Sequence, residues 1–280
     1  MVDSESSVEP KYAQTLKALH QPGNPLVLTN IYDISSLNAI LPLNNTPGTT
    51  PLKAIATASY AIAECQGVPD AELTLEQNLA AIAPLARAAR QAGLPLSVDL
   101  QDGYGDRLEK CIREAIHLGV AGANIEDSIP ERGFADGVEK CLYPLDEQVG
   151  RLKRVLQIAS EAGVMDFVLN ARSDVMKLDP LPDGALEETI RRGKAYLEAG
   201  ATTVFVWGGA RGLRDDEVRA LVAAFEGRLA VKLSGKSDGL SVSELADIGV
   251  ARISIGPSLW MLAMKAVRTT ARRLLEGGKL

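Results

Sequence analysis

The chain has 280 residues, enough for one large domain or two small ones, with 46% hydrophobic and 24% charged residues, the composition of a globular protein with a substantial core. Its net charge is -6 and no basic block interrupts it. Phosphate neutralisation needs clustered Lys and Arg, so nucleic acid is excluded as a natural partner. The first ten residues are polar and acidic, unlike a secretory signal, and no apolar run reaches the ~20 residues that span a bilayer; a cytoplasmic protein without a membrane partner is expected. Residues 10–20 read as a helix ahead of the first strand, residues 26–29. A Pro/Thr-rich loop, residues 44–51, precedes a second strand at 54–58. From there one pattern repeats: an amphipathic helix ends at a glycine and a short apolar run follows. Gly93 precedes a strand at 94–98, Gly119 one at 121–125, and Gly163 one at 167–169. After a Pro/Asp-rich loop, residues 177–184, Gly200 precedes a strand at 202–206. A seventh strand is read at 229–233, and Gly249 precedes an eighth at 252–255. The chain closes on a long helix, residues 257–276, with Leu259, Leu262, Ala263, Ala266, Val267, Ala271 and Leu274 as its apolar positions, a pattern that suits a subunit contact.

Glycine after the last helical turn supplies a left-handed cap, and apolar runs without alternation read as strands buried on both faces. Eight strands alternating with helices in ~250 residues point to an α/β fold of the (β/α)8 TIM-barrel type. An open doubly wound sheet also alternates, but no Gly-x-Gly-x-x-Gly follows the first strand. No linker divides the chain, so residues 1–280 are read as one barrel domain. Three cysteines, Cys65, Cys111 and Cys141, at unpaired spacing argue against a disulfide scaffold or a structural zinc site. The only histidines, His20 and His117, stand near helix ends and read as surface or capping residues.

A barrel carries its site at the C-terminal ends of its strands. In chain order those ends offer Asn30, Tyr32 and Asp33; Thr57, Ala58 and Ser59; Asp99, Gln101 and Asp102; Asn124, Glu126 and Asp127; Asn170, Arg172 and Asp174; then Trp207, Lys232, Ser234 and Gly256. Asp99 and Glu126 end adjacent strands, so their carboxylates converge, and two such groups among amide and water ligands suit Mg2+ or Mn2+. Arg172 on the next strand can grip a carboxylate or phosphonate with its planar fork, and Lys232 adds a second positive charge. Any one of these side chains has about even odds of being a helix cap or an ordinary ion pair. The whole set on successive strands describes a pocket for a small anionic carboxylate.

These residues also carry a resemblance. Val98-Asp99-Leu100-Gln101-Asp102-Gly103-Tyr104-Gly105 resembles the Asp-x-Asp-x-Gly-Tyr/Phe-Gly signature of the isocitrate lyase/phosphoenolpyruvate (PEP) mutase superfamily. Ile125-Glu126-Asp127 resembles its Ile-Glu-Asp motif, Ala171-Arg172-Ser173-Asp174 its Ala-Arg-Thr-Asp motif, Gly67-Val68-Pro69-Asp70 its Gly-Leu-Pro-Asp segment, and Gly256-Pro257-Ser258 its closing Gly-Pro-Ser. The resemblance implies a barrel that swaps its last helix with a neighbour in a homotetramer. It implies Mg2+ near Asp70, Asp99 and Glu126, and a substrate carboxylate held around Thr57, Ala58 and Ser59 with Arg172 on the other anionic end; Tyr32, Asp99 and Lys232 are read from their strand ends as further substrate-binding positions. It implies lyase chemistry on a small 2-oxo or 2-hydroxy carboxylate through a metal-stabilised enolate.

The departures bear on the reaction. Gln101 stands where the signature has its second Asp, with Asp102 beside it as a partial replacement. The lyase loop's proton-donating Cys is matched by Phe134 within Arg132-Gly133-Phe134-Ala135-Asp136, and Cys141 is a poor substitute. The mutase loop's Lys and Asn have no counterpart, and Trp207 and Lys232 replace a Glu and an Asn. Carbon–carbon cleavage by a lyase or hydrolase is the leading expectation, with Arg172 catalytic and Tyr104, Asp136 or water as proton donor. Carbon–phosphorus chemistry, by a PEP mutase-like or phosphonopyruvate hydrolase-like route, is the alternative. A non-catalytic carboxylate-binding barrel is the third.

Overall fold

A computed structural model describes residues 8–133, 138–177 and 181–280. Phe134 and Asp136, singled out above, lie outside the described residues.

Eight parallel strands close on themselves in sequence order: β1 (Leu26–Ile31), β2 (Ile55–Thr57), β3 (Leu96–Asp99), β4 (Gly122–Glu126), β5 (Val168–Ser173), β6 (Thr203–Val206), β7 (Leu229–Lys232) and β8 (Arg252–Ser254), with β8 pairing back to β1. Between them run α2 (Ile34–Ile40), α3 (Ser59–Gln66), α4 (Leu75–Gln91), α5 (Leu108–His117), α6 (Val138–Cys141), α7 (Leu145–Glu161), α8 (Ala185–Glu198), α9 (Asp215–Ala224) and α10 (Val242–Ile248). Helix α1 (Val8–Ala18) precedes the barrel and α11 (Ser258–Leu275) follows it. The chain is therefore the (β/α)8 barrel that its alternation implies. The five glycines read as helix terminators all take positive φ, from 72° at Gly93 to 109° at Gly249. Local side chains start several helices: Thr74 and Gln77 form a reciprocal cap on α4, as Ser241 and Glu244 do on α10.

β5 runs further than its apolar stretch indicates. Asn170 and Arg172 interrupt the hydrophobic pattern, yet both belong to the strand, because a barrel interior near the C-terminal mouth accepts polar side chains. Its register sets Glu126 beside Arg172 and Asn124 beside Asn170. At the opposite mouth α1 covers the barrel floor: Ala13 and Leu16 are fully buried, and His20 reaches Arg252 of β8. Helix α11 buries none of its residues, although Trp260 meets Tyr60 edge-on with ring centroids 6.0 Å apart.

Candidate active site

The strand ends of β1 to β8 enclose a cavity of ≈180 Å³. Clefts for drug-sized ligands run to about 300–1,000 Å³, so this one suits a small molecule. Its floor is reached by Arg252, whose Nη2 donates to Ser97 Oγ at 3.2 Å; burial pulls the guanidinium down to about 10.

Asp99, at the end of β3, is fixed from both sides. Its Oδ2 accepts from the backbone N–H and the hydroxyl of Ser59 at 3.3 and 3.2 Å, and its Oδ1 accepts from Asn124 Nδ2 at 3.2 Å. Asn124 belongs to a string that runs along four neighbouring strands, β6 to β3. Thr203 Oγ1 donates to Asn170 Oδ1 (2.7 Å), Asn170 Nδ2 donates to Asn124 Oδ1 (3.0 Å), and Asn124 passes the polarity to Asp99. Each amide accepts on its oxygen and donates from its nitrogen, so the string ends on an acceptor-only carboxylate. The backbone N–H of Asp99 donates to Thr57 Oγ1 at 3.0 Å, which leaves the Thr57 proton to serve another acceptor.

Asp70, in the short 3-10 turn Asp70–Glu72, brings a second carboxylate to the cavity. Burial first, then the charge of Asp99, pushes its pKa up. Gln101 Nε2 donates to the Asp70 carbonyl at 2.6 Å and to its Oδ1 at 3.2 Å. An aspartate at position 101 would repel Asp70; the glutamine ties it down. Asp102 does not restore the missing charge. Its carboxylate accepts from Tyr104 N, Gly105 N and the Tyr143 hydroxyl, so it holds the loop and does not line the cavity.

Glu126 and Arg172 form the third wall. Arg172 Nη1 lies 2.7 Å from Glu126 Oε2, while Nε and Nη2 donate to the two oxygens of Asp174 at 2.6 and 2.9 Å. The guanidinium stands 4.6 Å from the Trp207 ring centroid, so its plane is clamped by ion pairs at its edges and an aromatic ring beside it. Ser128 Oγ is 2.9 Å from Glu126 Oε1 and 2.8 Å from Asp174 Oδ2. One hydroxyl has one proton, so two carboxylates compete for it. Burial, opposed by Arg172, raises the Glu126 pKa. Asp127 points away from the cavity, to the Tyr196 hydroxyl at 2.8 Å and Arg192 Nη1 at 3.4 Å, and ties the end of β4 to α8.

Thr57, Ala58, Ser59, Asp70, Asp99, Glu126, Arg172 and Lys232 thus share one cavity. Tyr32 and Tyr104 do not line it. Tyr32 follows β1 and donates its N–H to Ser36 Oγ, and the Tyr104 hydroxyl accepts from Asn78 Nδ2 at 2.8 Å. Sequence reasoning missed Lys177, which lines the cavity with its ammonium 3.9 Å from Asp174 Oδ2 and 4.7 Å from the Trp207 centroid. Its signal is the spacing Asp174-Val175-Met176-Lys177, one helical turn after the Arg172 motif. The amides Asn124 and Asn170 were visible as strand ends, but not their linkage.

Among the described residues no three acidic, His or Cys side chains draw close enough to enclose a bare ion. The arrangement fits Mg2+, which keeps several waters and needs only one or two carboxylates, with Asp99 anchored and Asp70 and Glu126 within electrostatic reach of it. No helix among the described residues is long and apolar enough to cross a membrane.

Comparison with known proteins gives a consistent picture. The sequence profile named phosphoenolpyruvate phosphomutase matches residues 16–275. An uncharacterised protein of Mycobacterium tuberculosis is 30% identical over 94% of this chain and 89% of its own length. The oxaloacetate decarboxylase of Bradyrhizobium diazoefficiens is 29% identical, covering 75% of this chain and 69% of its own. Among solved structures, a candidate phosphonomutase from Burkholderia cenocepacia superposes with a TM-score of 0.80 at 32% identity, over 94% of this chain and 100% of that one.

Proposed function

The chain belongs to the phosphoenolpyruvate phosphomutase family of the isocitrate lyase/PEP mutase superfamily, and from that premise we propose that it is a Mg2+-dependent enzyme that breaks a carbon–carbon bond beside a 2-oxo or 2-hydroxy carboxylate, by way of an enolate. The observation that carries the reading is the division of one small cavity into an acidic arc, Asp70, Asp99 and Glu126, and a cationic arc, Arg172, Lys177 and Lys232. Relatives named oxaloacetate decarboxylase and 2-methylisocitrate lyase support the choice of bond.

Asp70, Asp99 and Glu126 would hold Mg2+, which would supply Lewis-acid stabilisation of an enolate oxygen. Ala58, Ser59 and Tyr60 bring the first turn of α3 to the cavity, where helix-end amides attract the substrate carboxylate. Arg172, oriented by Asp174 and Trp207, presents its remaining N–H groups and its charge to the developing anion. The Asn170–Asn124–Asp99 string holds Asp99 in one rotamer as substrate enters. Tyr104 does not line the cavity, so Asp136 or water is left to protonate the enolate. Carbon–phosphorus cleavage is the second reading, favoured by the likeness to the candidate phosphonomutase.

Oxalate copies the shape and charge of the pyruvate enolate. In calorimetry the protein is expected to bind oxalate only with Mg2+, and Asp99→Ala is expected to weaken that binding about 100-fold or more with the fold intact by circular dichroism. Absence of Mg2+-dependent oxalate binding by the unaltered protein would remove both readings. A screen of 2-oxo dicarboxylates, malate derivatives and phosphonates for pyruvate or oxalate release then separates them.

A further inference from the structure

One charge in the cavity belongs to neither the acidic nor the cationic arc. Arg252, the first residue of β8, is 2% exposed and lines the cavity floor. Its partners are neutral. Nη2 donates to Ser97 Oγ at 3.2 Å, Nη1 faces His20 Nε2 at 3.5 Å, and Nε has no hydrogen-bond partner. Among the described residues it makes no ion pair. Arg192, also buried, pairs with Asp127 and Glu188. A buried guanidinium without a carboxylate partner is costly, and an apolar side chain of similar volume would fill the space at less cost.

The position of the charge supplies a reason to keep it. Ser97 and Asp99 stand two residues apart on β3, and side chains two apart leave the same face of a strand, ~7 Å from each other. Through Ser97 the guanidinium is therefore held one layer below Asp99, under the acidic arc. Asp99 itself accepts only from Ser59 and Asn124, both neutral, while Arg172 is taken by Glu126 and Asp174. The coupling shows on Arg252, where the charge of Asp99 opposes the effect of burial. A fixed cation at that depth acts on two ligands in opposite directions. It repels Mg2+ and attracts an anion seated on the Mg2+. Low permittivity around a buried charge leaves each effect worth about tenfold in affinity.

We propose that Arg252 is a positioning residue whose charge sets the balance between the two ligands: it keeps the grip of the empty site on Mg2+ weak and strengthens the grip on an anionic substrate once Mg2+ is bound. This rests on the reading of the cavity as a site for Mg2+ and a carboxylate. The test is calorimetry with Mg2+ alone, then with oxalate at saturating Mg2+, in the unaltered protein and in three variants whose fold is checked by circular dichroism. Arg252→Gln can still donate to Ser97, and Arg252→Met packs without donors. Each should bind Mg2+ about tenfold more tightly and oxalate about tenfold more weakly. Arg252→Lys, which keeps the charge, should stay within severalfold of the unaltered protein for both ligands. The opposite signs are decisive, because damage to packing lowers both affinities together. A fall in both, or an unchanged Mg2+ affinity in whichever neutral variant folds, overturns the proposal. If the unaltered protein binds Mg2+ but not oxalate, the enolate reading falls, and the Mg2+ affinity of the neutral variants still decides the role of Arg252. Absence of Mg2+ binding overturns both.

Discussion

Arg252 enters the barrel interior from β8 with Ser97 Oγ and the His20 ring as its hydrogen-bond partners. His20 Nδ1 lies 2.7 Å from the Leu16 carbonyl and must carry the proton there, which leaves Nε2 as a lone pair facing Arg252 Nη1 at 3.5 Å. A second proton on His20 would set two cations against each other inside the protein. Burial first, then the charge of Arg252, lowers the His20 pKa from 6.5 to about 3. The folded value is the depressed one, so this contribution to stability is complete above pH 6.5 and is lost as pH falls from there toward 3. The slope approaches ~1.4 kcal/mol per pH unit in that window. Urea unfolding is expected to show stability declining between pH 7 and 5, and His20→Gln, which cannot take the proton, should flatten that limb while costing stability at pH 7. An unchanged slope in the variant would mean that another group sets the acid limb. The sequence places His20 correctly at a helix end. Its partner stands 232 positions away and meets it only because the barrel closes.

At the scale of the elements, packing between α8 and α9 depends on one missing methyl group. A Cβ on Gly193 would come 2.2 Å from Phe225 Cζ, and Phe225 is fully buried at the end of α9. Gly193→Ala should gain up to ~1 kcal/mol of helix propensity and lose about 1–3 kcal/mol to overpacking, a net destabilisation measurable in urea. Phe225→Leu makes room, so in the double variant the alanine should cost less than it does alone, with a coupling of order 1 kcal/mol. Additive effects would show that the ring moves aside freely. The same elements show what a sequence can disclose. The strands and their glycine-terminated helices were legible because apolar runs and left-handed caps are local properties. Asp99, Glu126 and Arg172 were legible because they end strands within recurring motifs. The tether from Gln101 to Asp70, the loop-holding role of Asp102 and the amide string through Asn124 and Asn170 were not, because each depends on side-chain direction between elements distant in sequence. Tyr104 illustrates the limit. Its place beside the motif suggests a proton donor, but a φ of 62° turns it toward Asn78.

At the scale of the whole molecule, helix α11 is left largely uncovered by the described residues. Helix α11 spans 18 residues and buries none, with Leu262 63% and Val267 60% exposed. Contiguous apolar surface on a long helix marks a contact with another chain. The superfamily resemblance implies a swapped helix in a tetramer, and we propose that α11 packs on neighbouring copies of this chain. Sedimentation at micromolar concentration should then give a mass that is a multiple of 29.8 kDa. The paired substitution Leu262→Glu and Val267→Glu should shift it toward the monomer by placing carboxylates in the contact. Assembly and site are linked through the chain itself. Gly256 and Pro257, which line the cavity, lead directly into α11, and Trp260 near its start meets Tyr60 of the cavity wall. Dissociation is therefore expected to weaken Mg2+-dependent oxalate binding along with assembly. A monomeric wild-type protein at these concentrations, or a monomeric variant with unaltered oxalate affinity, would separate the helix from the site.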